Sequence, residues 1–315
     1  MARSSELIVV AIAACGGGGS APLGERVGPL LGAALTAADQ ARTAWRCAAP
    51  DTPALPDETL TTGTRKWKLA GHTVQRVGTG DVAIAAVADA GGAAPPTVAA
   101  LGRLRGKLDA AAPDVVLALG GMGANQGELE ATLGTLAGPW LVVALPGDLE
   151  PAEALAKAAE ALRRRGAAVV DGRLARRIEL PGVTVATVPG GAPGRIVAGA
   201  DGCSYRASDV AAAVADLAGH AGLRVVASFE APRETIAGEA TGDLPLAPEA
   251  AVDVVLSSRQ APSPPASGGR DGKAVRLGPG IADATPRLGA PHTPSLGILS
   301  ATDARWSWRV VNDAK

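Results

Sequence analysis

Four carboxylates and one run of glycines are the residues of this sequence best placed to do chemistry. Asp89, Asp148, Glu150 and Glu230 each fall at or just after the end of an apolar run, and Gly120, Gly121 and Gly123 open the stretch "GGMGANQG". Carboxylates gathered in one place suit hard divalent cations such as Mg²⁺, Mn²⁺ or Ca²⁺ without help from imidazole. Glycines ahead of a helix can bring backbone N–H groups to an anion. Each feature also has a purely structural explanation, and that explanation is favoured. Asp148 and Glu150 then serve the N-terminus of the following helix, Glu230 pairs with Arg233 or stays solvated, and the glycines make a tight turn.

Imidazole is scarce. The chain has three histidines, His72, His220 and His292, and none ends an apolar strand. His220 closes a predicted helix at "LAGH", where a terminal cation suits the helix dipole; His72 and His292 lie in predicted loops and are expected to be solvated. Ser228 and Ser257 end strands, but neither sits in G-x-S-x-G and no histidine is placed to act as base. Arg270 and Lys273, in "SGGRDGK", read as solubilising charges on a loop rather than as a phosphate grip.

The elements that must position these groups begin near residue 80. Apolar runs at 81–89, 114–121, 140–147, 167–170, 223–228 and 252–258 read as strands. Helical patterns fill most of the gaps, at 97–111, 126–137, 151–166 and 208–220. Continuous apolar strands alternating with helices predict an α/β layered fold with a mostly parallel sheet. "RRIELPGVTVATVPGG" instead predicts short strands joined at Pro181-Gly182, and "KAVRLGPG", "PSLGILSAT" and "RWSWRVV" predict hairpin-type strands, with Trp306 and Trp308 on one face of the last. Two sheets are therefore expected. Ligands of open α/β sheets sit beyond the carboxyl ends of the strands, where the four carboxylates fall.

Before residue 80 the chain reads differently. In "LIVVAIAACGGGGSAPLG" (7–24), Arg3 precedes an apolar run and small residues directly precede Cys15, the pattern of a bacterial lipoprotein signal. A buried first strand and a dinucleotide loop (Gly16, Gly18 and Ala21 as G-x-G-x-x-A) are the alternatives, although Asp39 falls inside a predicted helix rather than after a second strand. Residues 1–15 are thus expected to be a signal with Cys15 as the lipidated residue, 16–78 a tether and N-terminal appendage, and 79–313 the folded domain. Export would leave Cys47 and Cys203 as a pair in an oxidising compartment; two separate buried thiols are the favoured expectation, a disulfide the alternative.

The order of the strand ends resembles the calcineurin-like metallophosphoesterase family over roughly residues 80–311. In that family the first strand ends D-x-H, the second G-D, the third G-N-H with an acid following, the next in a single His and the last in G-H-x-H. "VADAGG" is similar to the first, with Asp89 matching and Gly91 in place of His; "LALGGMG" to the second, with Gly121 in place of Asp. "ALPGDLE" resembles the third, with Asp148 for Asn, Leu149 for His and Glu150 as the acid. "VVASFEAP" carries Phe229 for the fourth His, and "VVLSSRQAP" carries Ser258, Arg259 and Ala261 for the last Gly and two His. "LGPGIAD" (277–283) resembles the family's next strand. The resemblance implies a four-layer αββα sandwich of two mixed sheets with a dinuclear metal site at the strand ends, and only Asp89 of the ligand positions is kept.

The function classes narrow accordingly. Thirty basic against 31 acidic residues, a net charge of −1 and a pI near 6.3 leave no electrostatic footprint for nucleic acid. The expected protein is an exported, lipid-anchored envelope protein facing the periplasm or exterior, attached to the membrane by its lipid. It needs no cofactor, has no catalytic residues, and engages an unidentified protein or small molecule as a degenerate metallophosphoesterase. The alternative is a phosphoester hydrolase with a reduced carboxylate-only site holding Mn, Mg or Fe/Zn, with Asp89 and Asp148 as ligands.

Overall fold

The computed structural model describes residues 45–49, 51–91, 95–193, 201–236, 239–241, 243–247, 250–258, 262–268, 274–283, 293–302 and 305–313. The signal segment with Cys15, the glycine run with Gly16, Gly18 and Ala21, and Arg259, Ala261, Arg270, Lys273 and His292 lie outside these residues.

The elements follow one another along the chain as β1 (Trp45–Arg46), β2 (Leu55–Thr62), β3 (Arg65–Gly71), β4 (Thr73–Val77), β5 (Val82–Val87), α1 (Pro95–Ala111), β6 (Val115–Leu119), α2 (Gln126–Leu136), β7 (Leu141–Leu145), α3 (Ala152–Arg164) and β8 (Val169–Asp171). The second half continues with β9 (Arg177–Leu180), β10 (Val183–Val188), β11 (Cys203–Ser204), α4 (Ala207–Ala218), β12 (Leu223–Ser228), β13 (Glu234–Ile236), β14 (Glu239–Thr241), β15 (Val254–Ser257), β16 (Ala266–Gly268), β17 (Val275–Leu277), β18 (Ser295–Thr302) and β19 (Arg305–Asn312).

Two large mixed sheets result among the described residues. One has the order β16-β19-β18-β5-β6-β7-β8, antiparallel from β16 to β5 and parallel from β5 to β8. The other runs β17-β15-β12-β10-β9-β4-β3-β2. The central strands "VVLAL" and "LVVAL" are buried at every position, as their unbroken apolar character requires when both faces of a sheet are covered. The largest apolar cluster lies between the sheets, joining Ile84, Leu117, Val143, Val185, Val225 and Leu256 to Trp306 and Trp308. A second cluster packs α1, α2 and α3 on the outside of the first sheet, and a third packs α4 on the outside of the second. The protein is a four-layer αββα sandwich of two mixed sheets.

Three expectations need correction here. Residues 55–77 are not an appendage: β2, β3 and β4 extend the larger sheet, β4 pairing in parallel with β9. Their inward positions, Trp67, Leu69 and Val74, alternate with the exposed Lys66, Lys68 and Gln75, so that each strand buries one face only. The strand at 275–277 is not part of a hairpin; it lies parallel to β15. Finally, Cys47 and Cys203 form a disulfide across 156 residues, with their Cα atoms 5.0 Å apart. The short parallel pair β1–β11 brings them together, Trp45 opposite Cys203 and Arg46 opposite Ser204.

Candidate functional site

The carboxyl ends of β5, β6 and β7 in one sheet and of β12 and β15 in the other turn toward each other, and the predicted residues are placed there. Directly after β5, Asp89 adopts φ +47°, a left-handed conformation that costs a non-glycine residue free energy. Its N–H donates to the carbonyl of Gly120 at 3.0 Å, and its own carbonyl accepts from Asp283 N–H at 2.9 Å. The strand ends β5, β6 and the 278–283 segment are thereby laced together through one residue. The Asp89 side chain rests against Gly121 so closely that a methyl group at Gly121 would collide with its Oδ1.

Glu150 is wholly buried, and its two oxygens accept from Met122 N–H at 2.5 Å and Gly147 N–H at 2.7 Å. Burial pushes its carboxyl up to about 7; the backbone donors of Gly147 and Met122 oppose this, and the neighbouring Asp148 adds to it. Glu150 does not cap α3, whose N-cap is Pro151 with no side-chain hydrogen bond. Glu150 instead clips the loop after β6 to the loop after β7. Glu230, 1% exposed, neither pairs with Arg233 nor is solvated: its Oε1 accepts from Ala192 N–H at 3.4 Å, while its carbonyl accepts from Ser228 Oγ at 2.6 Å.

Between these groups stands Phe229, the one phenylalanine of the chain. It is 2% exposed and sits at the end of β12. Its ring occupies the space that side chains at Gly120 and Gly147 would otherwise enter. The glycine turn is filled in the same way: Gly120, Gly121 and Gly123 all have positive φ, but Phe229, Asp89 and Glu128 take up the space beside them. Glu128 also satisfies the turn before α2, its Oε2 accepting from Ala124 N–H at 2.8 Å while its own N–H donates to Asn125 Oδ1 at 3.0 Å. The glycine stretch, for which an anion cradle was the less favoured alternative to a tight turn, is a packed turn with carboxylates beside it.

One residue of this cluster is not among the sequence candidates. Asp283 Oδ1 accepts from Thr97 Oγ1 at 2.5 Å, and its carboxyl fills the space beside Gly91, where a side chain would collide with it. The signal is present in "LGPGIAD", which ends in an acid after a short apolar stretch. Of the histidines, His72 is half-buried rather than solvated, with Nδ1 3.0 Å from the carbonyl of Leu174.

These residues do not fit a two-metal centre. Such a centre needs several imidazole and carboxylate donors converging on positions about 3.5–4 Å apart. Among the described residues no group of three or more His, Cys, Asp or Glu side chains is placed to hold a metal ion. The carboxylates divide into separate structural jobs, Asp89 against Gly121, Glu150 on two backbone amides, and Asp283 on Thr97, with an aromatic ring between the two sheets' ends.

No family model matches this sequence, and no curated protein is similar to it. Solved structures are similar to it. One, described only as a crystal structure, has a TM-score of 0.50 and 12% identity over 75% of this chain and 100% of its own. TT1561 of Thermus thermophilus gives 0.47 and 13% over 75% of this chain and 100% of its own. A purple acid phosphatase, PPD1 from yellow lupin (Lupinus luteus) seeds, gives 0.46 and 7% over 79% of this chain and 57% of its own. At 12% identity the first of these likenesses concerns the fold alone.

Proposed function

We propose that this chain is an exported, lipid-anchored envelope protein on a metallophosphoesterase-like frame, in which packed side chains have replaced the dinuclear metal site, and that it acts as a non-catalytic binding or structural protein. The observation that supports this reading is Phe229: a phenyl ring, which offers a metal no donor, is buried against Gly120 and Gly147 at the strand end where the resemblance puts a histidine. The Cys47–Cys203 disulfide supports export, because such bonds persist in oxidising compartments. The apolar run ending at Cys15 supports lipid attachment.

Purified full chain supplied with Mn²⁺, Mg²⁺ or Zn²⁺ should retain no stoichiometric metal and should not hydrolyse aryl phosphate monoesters or diesters. Stoichiometric metal together with turnover that disappears in Asp89→Ala would establish the reduced-site hydrolase instead. Clickable fatty acid should label the wild type and not Cys15→Ser; equal labelling would remove the anchor from the reading.

A further inference from the structure

A cavity of about 340 Å³ lies on the α4 side of the larger sheet and shares no lining residue with the strand-end cluster. α4 turns one stripe toward it, on which Asp209, Ala212, Ala213 and Asp216 follow three- and four-residue spacing. The start of β4, the approach to β9 and the end of β10 supply the opposite wall. The volume is in the range of small-molecule sites. The charges around this cavity cancel: three arginines, Arg46, Arg176 and Arg177, stand against three carboxylates, Asp209, Asp216 and Glu179. Arg46 Nε lies 2.9 Å from Asp209 Oδ1, Arg177 Nη1 lies 2.8 Å from Asp216 Oδ1, and the same arginine is 3.0 Å from Glu179. Arg176 Nη2 donates to the carbonyl of Ala49 at 2.6 Å. A ligand carrying net charge of either sign would leave an excess that these groups cannot take up without parting from their partners.

Two uncharged polar groups of the lining are not used up in this way. His72 stands in the turn between β3 and β4, with its ring half-buried. Its carbonyl accepts from the N–H groups of Arg176 and Arg177 at 2.9 and 3.1 Å, which pins the turn to the approach to β9. Its Nδ1 lies 3.0 Å from the carbonyl of Leu174. A carbonyl only accepts, so Nδ1 carries the proton and, in the neutral ring, Nε2 is an acceptor. Neither Nε2 nor the hydroxyl of Thr73, the next residue of the lining, has a hydrogen-bond partner among the described residues. An acceptor and a hydroxyl on adjacent residues complement a ligand hydroxyl, which donates to the first and accepts from the second. Ala48, Val188, Pro189, Ala212 and Ala213 supply the apolar part of the lining.

We propose that this cavity binds a small uncharged alcohol or phenol, its hydroxyl held by His72 Nε2 and Thr73 and its apolar body covered by the alanines of α4, Val188 and Pro189. Binding there uses nothing from the strand ends, so it stands or falls independently of whether that site holds metal.

Ligand-observed NMR titration of the full chain tests this with benzyl alcohol, benzoate and benzylammonium, which share one ring and differ in charge. Benzyl alcohol should bind saturably and more tightly than either ion. Toluene, the same ring without the hydroxyl, should bind more weakly than the alcohol. In His72→Asn the side-chain amide nitrogen can replace Nδ1 on the Leu174 carbonyl, but nothing replaces Nε2. This variant should weaken benzyl alcohol about two- to tenfold, the worth of one hydrogen bond, and leave toluene unchanged. Ala213→Phe, which fills the cavity from α4, should abolish binding of both while the unliganded protein still melts cooperatively; if the larger side chain prevents folding, His72→Asn decides alone. Absence of saturable benzyl alcohol binding, either ion binding as tightly as the alcohol, or alcohol affinity unchanged in His72→Asn or in folded Ala213→Phe would each overturn the proposal.

Discussion

At the scale of single residues, one aromatic ring stands where the resemblance would put a metal ligand. Phe229 is buried against Gly120 and Gly147, so truncating it leaves a void bounded by backbone that cannot easily collapse. Phe229→Ala should destabilise the protein by about 3–5 kcal/mol, measured by urea unfolding. Phe229→His would not recreate a metal site, since Gly91 and Gly121 still face carboxylates that are otherwise engaged. Glu150 gives a second prediction. Its carboxyl is raised in the folded protein from 4.5 to about 7, so the folded state holds its proton more tightly than the unfolded state does. The associated stability is fully present below pH 4.5 and is lost as pH rises to 7, by about 3 kcal/mol in all, then levels off. Unfolding midpoints measured from pH 4 to 8 should show this decline, and Glu150→Gln should flatten it. The substitution of Phe229 for a ligand was legible in the sequence because it stands alone at a strand end. The hydrogen-bond partners of Glu150 and Glu230 were not, because the amides of Met122 and Ala192 are remote in sequence and a backbone donor leaves no trace in residue type.

Among the elements, the clearest lesson comes from residues 55–77. Strands β5, β6, β7, β8, β12 and β15 are marked by continuous apolar runs, and their bounds match the structure within a few residues, whereas the short β11, β13, β14 and β16 have no such mark. β2, β3 and β4 are not so marked, because each buries one face and exposes residues such as Thr59, Thr61, Lys66, Lys68 and Gln75 on the other, in a stretch whose Pro and Thr content reads as a loop. A chain shortened to begin at residue 79 should therefore fail to fold. It would lose Trp67, Leu69 and Val74 from the central core and would expose the edge of β9. Insolubility, or a circular dichroism spectrum without a cooperative melt, is the expected result; a folded, soluble product would restore 16–78 as an appendage. The disulfide acts at the same scale, closing a long loop between β1 and β11. Cys203→Ser should cost about 2–5 kcal/mol by chemical denaturation under non-oxidising conditions for the variant and oxidising conditions for the wild type.

For the molecule as a whole, an α/β layered fold with two sheets was readable from the alternation of strands and helices and the four layers from the resemblance, whereas the cavity beneath α4 was not. Its lining comes from residues 48, 72–73, 176–177, 187–189 and 209–216, segments that only the tertiary fold brings together. That assembly gives the disulfide a consequence beyond stability. Ala48 lines the cavity and the Ala49 carbonyl holds Arg176, yet segment 45–49 is joined to β11 by just two register pairs besides the Cys47–Cys203 bond. Reduction should free this wall while the two sheets, built from other strands, stay intact. Treatment with dithiothreitol is thus expected to speed amide hydrogen exchange over 46–49 and leave the far-ultraviolet circular dichroism unchanged. One and the same sequence would thus hold this wall fixed in an oxidising compartment and leave it loose in a reducing one.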